Sequence, residues 1–304
     1  MSSVPVHRLE REATSILKGY KCRTVEEALQ VLSENRGNAK VVSGGTDIVI
    51  AVRHHSLKEE ILVDVFGIPE LKRIERTGGF WEIGAALPFS HIAGSGLPPN
   101  LVGLKKACNS VGSPQIRNRG TIGGNIANAS TAADTVPMMV ALRATAVIRS
   151  VDGERETPVE EMFDSREKWL KPDELLVKVR FRDPGRNQCL TSAKLGLRKA
   201  LAISRMTVGL YLEVGDGGEI TDVSVASGAI GKHAMREPDV EAFMKGVSIR
   251  SEDYWRASEV FQGSLDERLK GRASLSFKRE AIVGIMDEAL SDALHYFYFG
   301  GERA

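Results

Sequence analysis

The sequence predicts an α+β chain of two domains, a larger first one and a smaller second one of antiparallel sheet plus helices. Three observations carry this. Short strand-like runs alternate with helix-spaced apolar positions through the first part of the chain. Asp183-Pro184-Gly185-Arg186-Asn187-Gln188 then interrupts the pattern with linker chemistry. Beyond it, two strand-like runs flank Gly215-Asp216-Gly217-Gly218, and an apolar helical stripe follows near the C-terminus. The boundaries that result are 1–183 and 189–300.

Taken in order, Thr24 to Glu27 has the form of a capping box, and Val25, Ala28, Leu29 and Leu32 follow at helical spacing. A helix of about ten residues is expected, stopped near Gly37. Ala39 to Val42 reads as a short strand entering Ser43-Gly44-Gly45-Thr46-Asp47, and Ile61 to Val65 as another. Leu71 to Arg76, Thr77-Gly78-Gly79 and Phe80 to Gly84 read as a hairpin. Ser90 is expected to cap a short helix, and Leu101 to Val111 to form an amphipathic one. A long loop from Gly112 to Ala133 follows, then a helix at Val136 to Leu142 and strands at Ala144 to Ser150 and Leu175 to Phe181. Met206 to Val214 and Ile220 to Ile230 are the strands of the second domain. Phe277, Ala281, Ile282, Ile285, Met286, Ala289, Leu290 and Ala293 mark its helix.

Composition excludes several classes of function. With 304 residues and 42% apolar content the chain builds a real core, and a net charge of +1 sets up no field toward nucleic acid or an anionic membrane. Met1 to Lys21 lacks the apolar core of a signal peptide, and no run approaches the ~18 residues of a membrane span. A cytoplasmic protein is expected. Cys22, Cys108 and Cys189 are scattered, at no spacing that suits zinc, a redox pair or an iron–sulfur cluster. They read as buried free thiols, and if electrons pass through this chain by way of iron–sulfur clusters, another polypeptide must carry them.

Two glycine-containing segments look chemically purposeful. The first is Val41-Val42-Ser43-Gly44-Gly45-Thr46-Asp47-Ile48; the second runs from Thr121-Ile122-Gly123-Gly124-Asn125-Ile126 through Ser130 to Asp134. Neither fits the dinucleotide fingerprint or the P-loop. Paired glycines nevertheless permit positive φ and close backbone approach, and successive N–H groups can form an anion nest. Two such loops meeting in space could hold a pyrophosphate. An isolated Gly-Gly pair is equally a tight turn.

These segments closely resemble the two FAD loops of the xanthine dehydrogenase family, and more narrowly its separate medium subunits. The resemblance extends to Ser113-Pro114-Gln115-Ile116-Arg117-Asn118 before the second loop and the Asp134 to Leu142 segment after it, and covers nearly the whole chain. It implies an FAD-binding domain of the vanillyl-alcohol-oxidase (PCMH) type in two lobes, followed by the small C-terminal domain. It further implies noncovalent FAD, with Val42, Ser43, Gly44, Gly45, Thr46, Asp47 and Ile48 around the diphosphate. Thr121, Gly123, Gly124, Asn125 and Ser130 would line diphosphate and flavin, and Val111 belongs to the same site. Asp134 corresponds to an acid on the adenosine or ribityl side, Leu176 packs near the isoalloxazine, and Lys194 lies close to the cofactor. No catalytic residue and no metal ligand is assigned.

As partners, the resemblance implies a small [2Fe-2S] subunit and a large molybdopterin subunit, in a dimer of heterotrimers, with NAD or another molecule as final acceptor. The cysteines of an additional cluster-binding insertion, found in one branch of the family, are missing here. Two other readings stay open on the residues alone: a standalone FAD-dependent oxidase, and a non-catalytic nucleotide-binding module. His54 and His55, just past the first loop, are the nearest histidines for a covalent flavin link and read as solvated.

Overall fold

The computed structural model describes residues 18–163, 169–198 and 201–300; the polar segment 1–17 lies outside the described residues. Strand β1 (Lys18–Lys21) leads into helix α1 (Val25–Glu34), whose N-cap Thr24 accepts the Glu27 amide. Then come β2 (Ala39–Val42), α2 (Ile48–Arg53) and β3 (Ile61–Asp64). The three strands form a small parallel sheet in the order β1-β3-β2. Val25, Ala28, Leu29 and Leu32 turn the apolar face of α1 into a core shared with Val63.

The hairpin forms from β4 (Ile74–Thr77) and β5 (Phe80–Gly84), with Thr77 opposite Phe80 across Gly78-Gly79. Its first strand begins three residues later than expected, because Glu70–Lys72 winds into a 3-10 turn. Helix α3 (Phe89–Ala93) starts after Pro88, so Ser90 lies inside it and is not its cap. Helix α4 (Val102–Ser110) agrees with its apolar spacing. The stretch expected as a long loop is instead folded into α5 (Pro114–Arg117) and α6 (Ile122–Asn128).

Helix α7 (Val136–Ala141) is buried on every side. Strands β6 (Thr145–Ser150), β7 (Gly153–Pro158) and β8 (Leu175–Arg182) complete a five-stranded antiparallel sheet, β4-β5-β8-β6-β7. A register shift at Val147/Ile148 inserts one extra residue into β8. A bulge of this kind reverses which side chains face which way. Leu175 and Val177 thus join the α1 core, while Val179 and Phe181 join the core of α3, α4, α6 and α7.

The second domain opens with β9 (Gln188–Gly196), β10 (Ser204–Val214), β11 (Ile220–Gly228) and the short β12 (Met235–Arg236), in the order β12-β11-β10-β9. Helices α8 (Pro238–Met244), α9 (Asp253–Arg268) and α10 (Leu275–Phe299) cover one face around Val208, Leu210, Tyr254 and Phe261. The other face rests on the first domain. There Gly103 in α4 admits β9 so closely that a Cβ would lie 2.5 Å from the Thr191 carbonyl carbon. Ser192 Oγ donates to the Gly103 carbonyl at 2.9 Å, and Gly209 makes room for Met138 of α7.

Candidate functional site

The first glycine segment begins where β2 leaves the sheet. The Val65 amide still donates to the Val42 carbonyl at 2.9 Å. Past that point Gly45 takes φ +79°, a left-handed conformation that only glycine adopts freely. The amides of Gly44, Gly45, Thr46, Asp47 and Ile48 donate to no acceptor among the described residues. Consecutive N–H groups without internal partners are the chemistry of an anion nest. The Asp47 carboxylate stays out of it, caps nothing, and accepts Thr46 Oγ1 at 3.2 Å.

The second segment works differently from the nest expected of it. Thr121 caps α6, and each amide at its start is already used: Ile122 on the Leu87 carbonyl, Gly123 on Ala85 (2.9 Å), Gly124 on Thr121 Oγ1 (3.1 Å). Neither Gly123 nor Gly124 has positive φ. Gly123 serves close packing, since a Cβ there would lie 2.5 Å from Ala85 Cβ. A Cβ on Gly124 would meet only Thr121 Oγ1, at 3.0 Å.

The two segments do meet. Thr121 Oγ1 donates to Ser43 Oγ at 3.1 Å, and Arg119 Nε donates to the Gly44 carbonyl at 3.3 Å. A Cβ on Gly44 would lie 1.9 Å from the Arg119 carbonyl oxygen. Close backbone approach is therefore the reason for glycine at 44, and positive φ the reason at 45.

Between the two lobes and the edge of the second domain lies a cleft of about 840 Å³. Ser43 through Ile48 line it, as do Val111, Thr121, Gly123, Gly124, Asn125, Ser130, Asp134 and Leu176. Val42 and Lys194 do not. Sequence reasoning missed much of the wall, including Ala85, Ala86 and Phe89 after β5, Leu170 to Pro172 with Glu174, and Leu201 to Ile203. The last carried a signal, an apolar run exposed between two strands.

Asp134 is 8% exposed and does not cap α7, where Thr135 is the N-cap. Its Oδ2 takes Lys194 Nζ at 2.9 Å, and its Oδ1 accepts from Ser204 Oγ. Lys194 Nζ also donates to the Ser110 carbonyl at 2.9 Å. Burial pushes the Asp134 carboxyl above its ordinary range, against the Ser204 hydrogen bond and the Lys194 charge. Lys194 is thus a partner of Asp134 behind the cleft wall. At another wall, burial would raise Glu174, but Arg155 and the Lys171 amide hold it below its usual range. Arg155 grips it through Nε at 2.8 Å and Nη2 at 2.7 Å.

His54 and His55 are exposed beyond α2 and do not line the cleft. Cys22, Cys108 and Cys189 are buried and free. Among the described residues no cluster of His, Cys, Asp and Glu could hold a metal ion, and no helix is long and apolar enough to cross a membrane.

A cleft with an amide nest on one wall and both apolar and polar side chains on the others suits an extended dinucleotide. Residues 15–182 match the FAD binding domain in molybdopterin dehydrogenase, and residues 192–293 the CO dehydrogenase flavoprotein C-terminal domain. The chain belongs to this family of FAD-binding subunits, which serves xanthine- and CO-dehydrogenase-type oxidoreductases.

It is 31% identical to the nicotinate dehydrogenase FAD-subunit of Eubacterium barkeri, over 90% of this chain and 94% of the relative. To the xanthine dehydrogenase FAD-binding subunit of Escherichia coli O157:H7 it is 28% identical, over 90% and 95%. The fold also agrees with a solved carbon monoxide dehydrogenase chain of Hydrogenophaga pseudoflava: TM-score 0.82, 24% identity, 92% of this chain and 97% of that one.

Proposed function

We propose that this chain carries noncovalent FAD in the interlobe cleft, accepts electrons from [2Fe-2S] clusters of a small partner subunit, and passes them to an external acceptor such as NAD. A large molybdopterin subunit would hold the organic substrate, and the assembly would be a dimer of heterotrimers. The observation that carries the reading is the nest of five free amides, Gly44 to Ile48, opening into the cleft. Free amides satisfy a diphosphate without a cationic side chain, and the fit is good because Gly44 lets the loop pack on the Arg119 backbone and Gly45 takes the left-handed turn within the run of unpaired amides.

Bound FAD would supply the redox chemistry, and the protein the binding, orientation and electrostatics. Ser43 and Thr121 hold the two loops together around the diphosphate. Asp134 spends one hydrogen bond on each oxygen, and a carboxylate oxygen has room for a second. It can therefore also accept from a ribityl or ribose hydroxyl. Leu176 offers an apolar contact for a ring.

The nest would hold the diphosphate at the middle of the cofactor, and the apolar side chains at the end of the cleft between the domains would take its ring. The cleft there reaches exposed apolar side chains on the molecular surface, where another chain can come within electron-transfer range. The test uses the assembled complex and this chain by itself. The complex reduced by its organic substrate should bleach its flavin and regain colour when NAD is added. The chain by itself should bind FAD, release it into the supernatant on acid precipitation, and leave purines and aldehydes unchanged. Turnover of such a substrate by the single chain would overturn the division of labour.

A further inference from the structure

Among the described residues, the second domain touches the cleft only through the turn between β9 and β10, where Leu201, Ala202 and Ile203 form part of its wall. Leu201 is 49% exposed and Ile203 79%, so two aliphatic side chains stand over an open cleft. Leu201 is held in place. Leu201 takes φ +57°, and the Arg198 guanidinium donates to its carbonyl from Nε at 3.2 Å and Nη2 at 2.7 Å.

The base of the turn is held by a different device. The β9–β10 register shifts between Ser204 and Met206, so the ladder is interrupted beside the turn. At that point Ser204, 4% exposed, sends its hydroxyl across the domain boundary to Asp134 Oδ1. Asp134 is held in turn by Lys194 Nζ, which is itself tied to the Ser110 carbonyl at the end of α4. A buried serine hydroxyl bonded to a carboxylate is a directional link.

We propose that Ser204 is a positioning residue of the cofactor site: by anchoring to Asp134 it holds Leu201 and Ile203 over the cleft as an apolar cover on the flavin ring. The inference rests on the reading that FAD occupies this cleft with its ring between the domains. Ser204 itself does not line the cleft. Its effect passes through the turn that it fixes. Removing the hydroxyl frees the turn and leaves Asp134 Oδ1 without its partner.

The test takes the full-length chain as wild type, Ser204→Ala, Ser204→Thr and Ile203→Asn, each stripped of flavin and titrated with FAD. Three quantities are read: FAD affinity, iodide quenching of bound-flavin fluorescence, and the rate of tryptic cleavage after Arg198 at saturating FAD. Ser204→Ala should weaken FAD about tenfold, or ~1.4 kcal/mol. It should also raise iodide quenching several-fold and speed the cleavage. Ser204→Thr keeps a hydroxyl and should restore all three toward wild type. Ile203→Asn alters a side chain on the surface, so folding is not at risk, and should raise quenching with Ser204 intact.

Wild-type quenching and cleavage in Ser204→Ala, with FAD bound normally by wild type, would overturn the anchor. Unchanged quenching in Ile203→Asn would overturn the cover. Failure of the wild type to bind FAD would instead defeat the reading of the cleft itself.

Discussion

At the scale of single residues, the four glycines of the two segments do three different jobs, and their substitutions separate them. Gly124 is helical, free of positive φ, and open toward the cleft apart from Thr121 Oγ1. Gly124→Ala would set a Cβ 3.0 Å from the capping Thr121 Oγ1, on the cleft side, and should weaken FAD, as a flavin titration would show. Gly123→Ala should lower the melting temperature, read by calorimetry, because its Cβ would overlap Ala85. Gly45→Val must enter a left-handed conformation, at ~1–2 kcal/mol or more, on the nest itself. It should lose FAD while the second domain stays folded, and stoichiometric flavin in that variant would sink the nest assignment. Asp134→Ala leaves Lys194 largely buried without its counter-charge, a change that costs roughly 3–5 kcal/mol in such pairs. Asp134→Asn keeps an acceptor and should be milder in both FAD affinity and melting temperature. A catalytic base would reverse that pattern, with flavin retained and turnover lost in the amide variant.

At the scale of elements, the hairpin between β4 and β5 turns on Gly78 at φ +59° and Gly79 at φ +79°, the pair of left-handed positions of a type I′ turn. Nothing lies within 4 Å of a Cβ built on either. Gly78→Asn should thus be nearly neutral in chemical denaturation, and Gly78→Val should cost ~1–2 kcal/mol. Equal losses in the two would mean that crowding, not backbone conformation, governs the turn. This hairpin was legible because its signal is local, as were the capping box of α1, β2 entering the first glycine loop, and the apolar stripe of α10. Other elements were hidden by the environment they fold into. Strand β9 carries Thr191 and Ser192, whose polarity argues against burial, yet both hydroxyls are satisfied by carbonyls of α10 and α4. Strand β7 is a charged edge strand with no apolar alternation to mark it. Helix α6 read as loop because glycine is a poor helix former, and its reason for being there, Ala85, lies far away in sequence. The site divides in the same way. The nest at 44–48 is a contiguous signature, whereas the walls at 85–89, 170–174 and 201–203 are brought together by sheet pairing and domain docking.

At the scale of the whole molecule, the cleft takes walls from both domains, so whatever holds the domains together also shapes the site. Besides the Asp134–Lys194–Ser204 link, the boundary is bridged by Arg143, which follows α7 in a left-handed conformation at φ +50°. Its guanidinium donates to Asp222 of β11 at 2.5 and 2.8 Å and to the Val223 carbonyl at 3.0 Å. These hydrogen bonds, more than the charge itself, hold the Asp222 carboxyl below its ordinary range. An acid whose value is depressed by folding contributes stability above its unfolded value, ~3.9 for aspartate, and loses that contribution as pH falls through the folded value. Asp222→Asn removes this contribution at every pH. The melting temperature of wild type should therefore exceed that of Asp222→Asn near neutrality, and the gap should close as the pH is taken below about 4. Because both side chains are more than a third exposed, added salt should narrow the gap at neutral pH as well. A gap that stays constant from neutral to acid pH would show that Asp222 acts through shape or uncharged hydrogen bonding, and that the ion pair does not set the docking of the two domains.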